Sequence, residues 1–261
     1  MQRIRLLLLV FGLCLCQVGN HGHAEDVPKV ETSGRPHVVM LVAEREYETM
    51  RSLRRFSEDQ KKSYRITIVA EDPNDRNRLI GIESLQTADL LLVSVRRRTL
   101  PQEQLGLIRK FVSQGKPVIG IRTASHAFSL RNKQPPEGRA DWQDFDQTVL
   151  GGNYTNHHGN ELQVELTFAD EGSDHSIIKD MNVKGSYSSS SSLYRVSPLM
   201  PDAKVLMRGQ VKGHPSEPIA WTFKRADGGK SFYTSLGNAD DFRGQVLPEL
   251  LANAIAWGLS K

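Results

Sequence analysis

Three stretches of this chain carry residue types that could do chemistry. The first is Gly120-Ile-Arg-Thr-Ala-Ser-His126, where a short apolar run, Val118 to Ile121, ends in small and polar residues and leads into a helix start. A strand that turns sharply into a helix presents one side chain and several free backbone N–H groups at the end of a sheet, which is how nucleophile elbows are built. The elbow position holds Arg122. A guanidinium with a pKa above ~12 is neither nucleophile nor base near neutral pH, so Arg122 is expected to form an anion- or oxygen-binding corner. His126 falls in the first helical turn, where the dipole disfavours protonation and leaves a neutral imidazole for acid–base work. Ser125 is expected to contact ligand. It could serve as a nucleophile only with an aligned base, and His126, adjacent in sequence, is badly placed for that.

The second stretch is His157-His158, inside the turn-rich segment Leu150 to Asn160. Adjacent side chains of an extended segment face opposite sides, so only one of the two should enter a site. His158 is the expected acid–base partner of His126, and His157 a ligand contact. The third is Gly237-Asn-Ala-Asp-Asp-Phe242. Asp241 could act as acid or base and Asn238 as a ligand contact, although Asp before a helix is also an ordinary cap. Glu44 and Tyr47 follow one buried strand and Arg96-Arg97-Arg98 follow another. Glu44, Tyr47 and Arg96 are therefore added as candidate binding residues, with Tyr47 and Trp142 able to stack on the flat face of a ligand. No His-x-x-x-His or Glu-x-x-His spacing is present, so neither a metal nor a cofactor is expected.

The elements that must position these residues are readable from periodicity. His37 to Ala43, Tyr64 to Ala70, Asp89 to Val95 and Val118 to Ile121 are apolar runs with β-branched residues, as in strands covered on both faces. Helical spacing lies between them, at Tyr47 to Ser57 and at Leu100 to Gln114, the latter with Pro101 near its start and Gly115 at its end. Such alternation predicts an α/β fold with a doubly wound, mostly parallel sheet, whose ligands bind at the carboxyl ends of the strands. Arg131 to Gln147 is polar and Pro-containing, an excursion over that end anchored by Trp142 and Phe145. Additional strands are expected at 161–168, 204–207, 218–223 and 230–236. Ser188 to Ser192 reads as the approach to a strand beginning at Leu193, not as a linker. A last amphipathic helix carries Val246, Leu250, Leu251, Ala254, Ile255 and Trp257 on its apolar face.

Residues 1–24 read as a secretory signal peptide: a basic start with Arg3 and Arg5, an apolar core too short to span a bilayer, and Gly22-His-Ala24 before the cleavage point. Residues 25–36 read as a linker, and 37–260 as one domain. Both cysteines, Cys14 and Cys16, lie in the leader. The expected mature chain therefore has no disulfide and no thiol nucleophile. Losing Arg3 and Arg5 lowers the net charge from +4 to +2. That mild charge argues against nucleic-acid binding, and no membrane segment remains after cleavage.

Several motifs, in order along the chain, carry a family resemblance. They are Gly115-Lys-Pro-Val-Ile-Gly-Ile-Arg122 through Ser125-His126-Ala-Phe128; Leu150-Gly-Gly-Asn-Tyr154 with His157-His158; Glu217-Pro-Ile-Ala-Trp221; Gly229 to Asn238; and Asn253-Ala-Ile-Ala-Trp257. With them the chain resembles the ThuA-like (trehalose-utilisation) proteins, which share the class I glutamine amidotransferase-like, flavodoxin-like fold. The resemblance implies a carbohydrate-related ligand. It also implies histidines where this sequence has Arg122 and Asn238, and in amidotransferases a catalytic Cys at the elbow. Glutamine amidotransferase chemistry is excluded, since the expected mature chain has no thiol. The expected protein is secreted or periplasmic and binds or processes a sugar-like or anionic small molecule, by acid–base chemistry if it is an enzyme. The alternative is a non-catalytic binding or accessory module that retains the fold, which the substitutions at 122 and 238 favour.

Overall fold

Four apolar runs of the N-terminal half become parallel strands: β1 (His37–Ala43), β2 (Arg65–Glu71), β4 (Leu90–Val95) and β5 (Val118–Ile121), with the short β3 (Leu79–Ile80) antiparallel beside β2. The later strands are β6 (Val164–Phe168), β7 (Tyr187–Ser189), β8 (Ala203–Gln210), β9 (Glu217–Lys224) and β10 (Lys230–Thr234). All ten form one sheet in the order β7-β6-β8-β9-β10-β5-β4-β1-β2-β3. The computed structural model describes residues 34–131, 133–160, 162–181 and 186–260. The expected leader, and the linker up to residue 33, lie outside the described residues.

The sheet has two halves with different connection rules. β10 returns to pair with β5 in parallel, completing the parallel set β2-β1-β4-β5-β10, while β9, β8, β6 and β7 extend it antiparallel. Parallel neighbours need crossovers, and helices α1 (Thr49–Gln60) and α2 (Gln102–Ser113) supply two of them. In β1 the alternate residues Val38, Met40 and Val42 join one core with Leu53 and Phe56 of α1. Val39, Leu41 and Ala43 join the other with Leu105, Ile108 and Phe111 of α2. Burial on both faces is why the run shows no polar alternation. The last helix, α4 (Val246–Leu259), buries Val246, Leu250, Leu251, Ala254 and Ile255 on the α1 side. Trp257 only half enters that face. In β6 the expected alternation holds, with Val164 and Leu166 inward and Glu165 and Thr167 out.

Register places the carboxyl ends of the parallel strands together: Ala43 lies opposite Val95, and Ile121 opposite Thr234. The loops after β1, β4, β5 and β10 therefore emerge at one end of the sheet. The excursion, residues 133–147, runs over it. Its Arg139–Ala140 pairs with Leu100–Pro101, Arg139 pairs with Asp75 at 2.6 Å, and Phe145 packs edge-on against Phe128 at 5.1 Å. It ends in one wide π-type turn, Asp146–Leu150. Among the described residues no helix is long and apolar enough to cross a membrane.

Gly120 lets this end close. A Cβ there would lie 2.9 Å from carbon atoms of both Leu150 and Tyr233. Gly120→Ala is expected to destabilise the fold by about 1–3 kcal/mol through overpacking, read as a lowered denaturation midpoint in urea. An unchanged midpoint would show that Leu150 relaxes freely.

Candidate functional site

The turn after β5 spans Arg122–His126 and is fully buried. Arg122 adopts a left-handed backbone, φ 44°, as few non-glycine residues do, and Tyr233 Oη donates to its carbonyl at 2.6 Å. Its guanidinium does not face an open pocket. It lies between the rings of Tyr47, 4.1 Å away, and Tyr194, 4.8 Å away, and donates to the Ser235 carbonyl at 2.7 Å and Ser192 Oγ at 3.2 Å. Burial opposes its charge, yet Tyr194, Tyr47 and Asp241 hold the guanidinium above its ordinary pKa. Arg122 is thus an internal cation that organises loops, and Tyr47 packs on it instead of lying open to a sugar.

The other expected carboxylates are consumed in the same way. Glu44 accepts from the backbone N–H groups of Glu46, Tyr47 and Thr49 and from Thr49 Oγ1. It shapes the loop into α1. Asp241 accepts from the N–H groups of Gly237 and Asn238 and from Ser189 and Ser191, while Asn238 Oδ1 accepts from Asp241 N at 2.7 Å. These two residues form a capping box on α3 (Ala239–Arg243). The same carboxylate ties down the serine run, which is ordered for that reason. Arg96 pairs with Glu46 at 2.7 Å near the surface. His157 is half-buried with Nδ1 against the His158 carbonyl, 3.1 Å away.

His158 is not the partner of His126. It packs against His214, ring centroids 4.5 Å apart, with Nε2 3.8 Å from Glu217. Burial and the neighbouring His214 lower its pKa, partly offset by Glu217. Among the described residues no group of three or more His, Cys, Asp or Glu side chains could hold a metal ion.

What does surround His126 is a cavity of about 550 Å³, walled by Arg97, Ser125, His126, Arg131, Asp146 and Tyr154, with Asp144, Gln143, Gln147 and Asn153 at its polar margin. His126 is neutral, as expected from sequence, but for other reasons than a helix dipole. Burial comes first, and Arg97, Arg96, Arg131 and Arg122 add to it, holding the imidazole well below its ordinary pKa. The turn also brings Ser125 Oγ to 3.1 Å from His126 Nδ1, so sequence adjacency did not keep them apart. The imidazole stacks on Tyr154 at 4.6 Å and 27°.

Asp146 is the residue the sequence reading missed. It is buried, its Oδ2 accepts from Tyr154 N at 2.7 Å, and its Oδ1 has no hydrogen-bond partner. Burial pushes its pKa up to about 7, against the opposing Tyr154 hydrogen bond. Tyr154 thus links the two titratable groups, its ring on His126 and its N–H on Asp146. The available signal was Gly152 in Leu150-Gly-Gly-Asn-Tyr154: a Cβ there would lie 2.4 Å from Asp146 Oδ1. Arg97 and Arg131 were missed because three consecutive arginines and a polar loop do not reveal which side chain turns inward.

A profile of the ThuA (trehalose utilisation) family matches residues 37–258. The chain belongs to the ThuA family. Solved structures of ThuA-like proteins share the fold. One from Bacteroides uniformis is 15% identical, with a TM-score of 0.62 over 89% of this chain and 96% of that one. Another, from Parabacteroides merdae, is 15% identical, with a TM-score of 0.67 over 87% and 90%. At that identity the likeness establishes the ThuA fold and not a shared chemistry. No curated protein matches the sequence significantly.

The Asp146 carboxyl makes stability depend on pH. Below about pH 4 it is protonated in both folded and unfolded chains. Between pH 4 and about 7 the unfolded chain releases the proton and the folded chain keeps it, so stability falls as pH rises, by roughly 4 kcal/mol in all from this group, and levels off above 7. Asp146→Asn should remove this slope. Urea unfolding from pH 5 to 8 checks it, and equal slopes in the two proteins would refute the raised pKa.

Proposed function

We propose that this ThuA-family protein is exported and binds a carbohydrate-related small molecule in the His126–Asp146 cavity, acting on it by acid–base chemistry. The observation that carries this reading is a pair of titratable groups on one cavity wall. A buried imidazole held neutral can accept a proton. A buried carboxyl titrating near pH 7 can give or take one at physiological pH. Groups whose environments displace their pKa values in this way are the usual constituents of acid–base sites. The amides of Gln143, Gln147 and Asn153 suit hydroxyl recognition, and the volume is that of ordinary small-molecule sites. The 1–24 leader pattern supports export.

One observation favours the alternative of a non-catalytic accessory module. Arg122, at the elbow where related folds place a reacting side chain, is locked between Tyr47 and Tyr194. Product detection by proton NMR, with calorimetric binding to a panel of sugars and keto-sugars, separates the two. The enzyme reading expects conversion of a bound ligand, lowered ~10²–10⁴-fold by His126→Ala and by Asp146→Asn. Binding without conversion selects the accessory module. Binding that survives both substitutions unchanged places the ligand elsewhere.

A further inference from the structure

We propose that the Arg97–Arg131 side of this cavity recognises a single carboxylate, so that the ligand is a sugar acid or similar polyhydroxy carboxylate, not a neutral sugar. The inference rests on the cavity reading above and narrows it to a ligand class.

Other arginines near the same end of the sheet have carboxylate partners: Arg45 and Arg98 share Glu71, Arg96 pairs with Glu46, and Arg139 with Asp75. Arg97 and Arg131 have no carboxylate partner among the described residues. Arg97 donates one guanidinium nitrogen to the Ser129 carbonyl at 3.2 Å, which leaves most of its fork unassigned. Both residues have left-handed backbones, φ 50° and 61°. Arg97 N donates to the His126 carbonyl at 3.1 Å, fixing the arginine beside the imidazole. Two like charges lining one cavity repel. Burial and then Arg131 depress the Arg97 pKa, and both arginines contribute to keeping His126 uncharged. An anion placed between them relieves that repulsion, and a planar carboxylate matches the guanidinium fork.

The charge on the walls selects one negative charge over two. Beside Arg97 and Arg131 the lining also holds Asp144 and Asp146, the latter partly ionised near neutral pH. These four side chains sum to one positive charge with Asp146 protonated and to none with it ionised. A dianionic phosphate would meet both aspartates, while a monoanion is matched. Arg97, Arg131, His126, Asp144 and Tyr154 share the cavity lining with Asp146, and Asp146 also acts electrostatically on Tyr233. Ionisation of Asp146 removes that net positive charge, so carboxylate affinity should fall as pH rises through about 7.

The test is calorimetric titration of the purified protein with glucuronate, galacturonate and gluconate, with glucose and galactose, and with glucose 6-phosphate, each at pH 6 and pH 8. At least one sugar acid should bind ~10-fold or more tightly than its neutral counterpart, and more weakly at pH 8. Arg131→Gln and Arg97→Gln should each weaken sugar-acid binding ~10-fold more than they weaken any neutral-sugar binding. Asp146→Asn should abolish the pH dependence. Arg131 is exposed, so its substitution keeps the test valid if the Arg97 variant fails to fold. Equal affinity for acid and neutral sugar, or no effect of Arg131→Gln, overturns the carboxylate assignment while leaving the cavity reading intact. Preference for glucose 6-phosphate overturns the single-charge argument. Absence of all sugar-acid binding overturns the proposal, and the cavity reading is then decided by the neutral sugars.

Discussion

The buried Arg122 cation is the constraint on which the loops at the carboxyl end of the parallel strands depend. Its guanidinium reaches the loop after β1 through Tyr47, the loop after β10 through Ser235, the serine run through Ser192, and the short strand at 194–195 through Tyr194. A charge taken out of water is tolerated only when its donors and its π-contacts are arranged around it. The loops are therefore not free to choose their own positions. Each must deliver a carbonyl, a hydroxyl or a ring face to one point. Tyr194, held this way, then backs Tyr154 at 4.7 Å, and Tyr154 backs His126. The geometry of the cavity is inherited from an arginine that does not line it.

The acidic residues divide by how completely they are satisfied. Glu44, Asp241 and Glu217 each accept from backbone N–H groups of their own or neighbouring loops. Such carboxylates are structural, since their lone pairs are occupied by the turns they shape. Asp146 has one oxygen bonded and one bare, in a buried position. A carboxyl left in that state resists ionisation, and the folded chain bears that cost unless something else enters the cavity. Under-satisfaction sets Asp146 apart from the structural carboxylates, which residue type and proximity to a helix do not.

Two of the left-handed non-glycine residues of this chain sit just beyond strand ends. Arg97, after β4, and Arg122, after β5, both occupy left-handed conformations, and the main-chain hydrogen bond from Arg97 to His126 joins the two turns. Strain at these points turns one side chain inward toward the protein, at 122, and another toward the cavity, at 97. The antiparallel extension β6 to β9 contributes from the other side. Trp221 of β9 donates to the Leu150 carbonyl at 2.7 Å and so anchors the turn that carries Asp146.

The sequence by itself determined four of the five parallel strands, the two helical layers, the closing helix and the family. Those features rest on local periodicity, as in the wholly apolar His37 to Ala43, and on short motifs that read in order along the chain. It also placed Ser125 and His126 at the business end of the sheet, because strand-to-helix turns occur there by topology. Only the tertiary structure decided the partners. His158 and His126 look equivalent as residue types, yet one packs on His214 and the other on Tyr154. Arg96 and Arg97 are neighbours, yet one meets Glu46 and the other the cavity. Asp146 shows no pattern of its own, because its character comes from burial beneath Gly152 and Tyr154, six and eight residues further on. Electrostatic roles depend on which charges share a low-dielectric volume, and that is set by long-range packing, which local spacing does not encode.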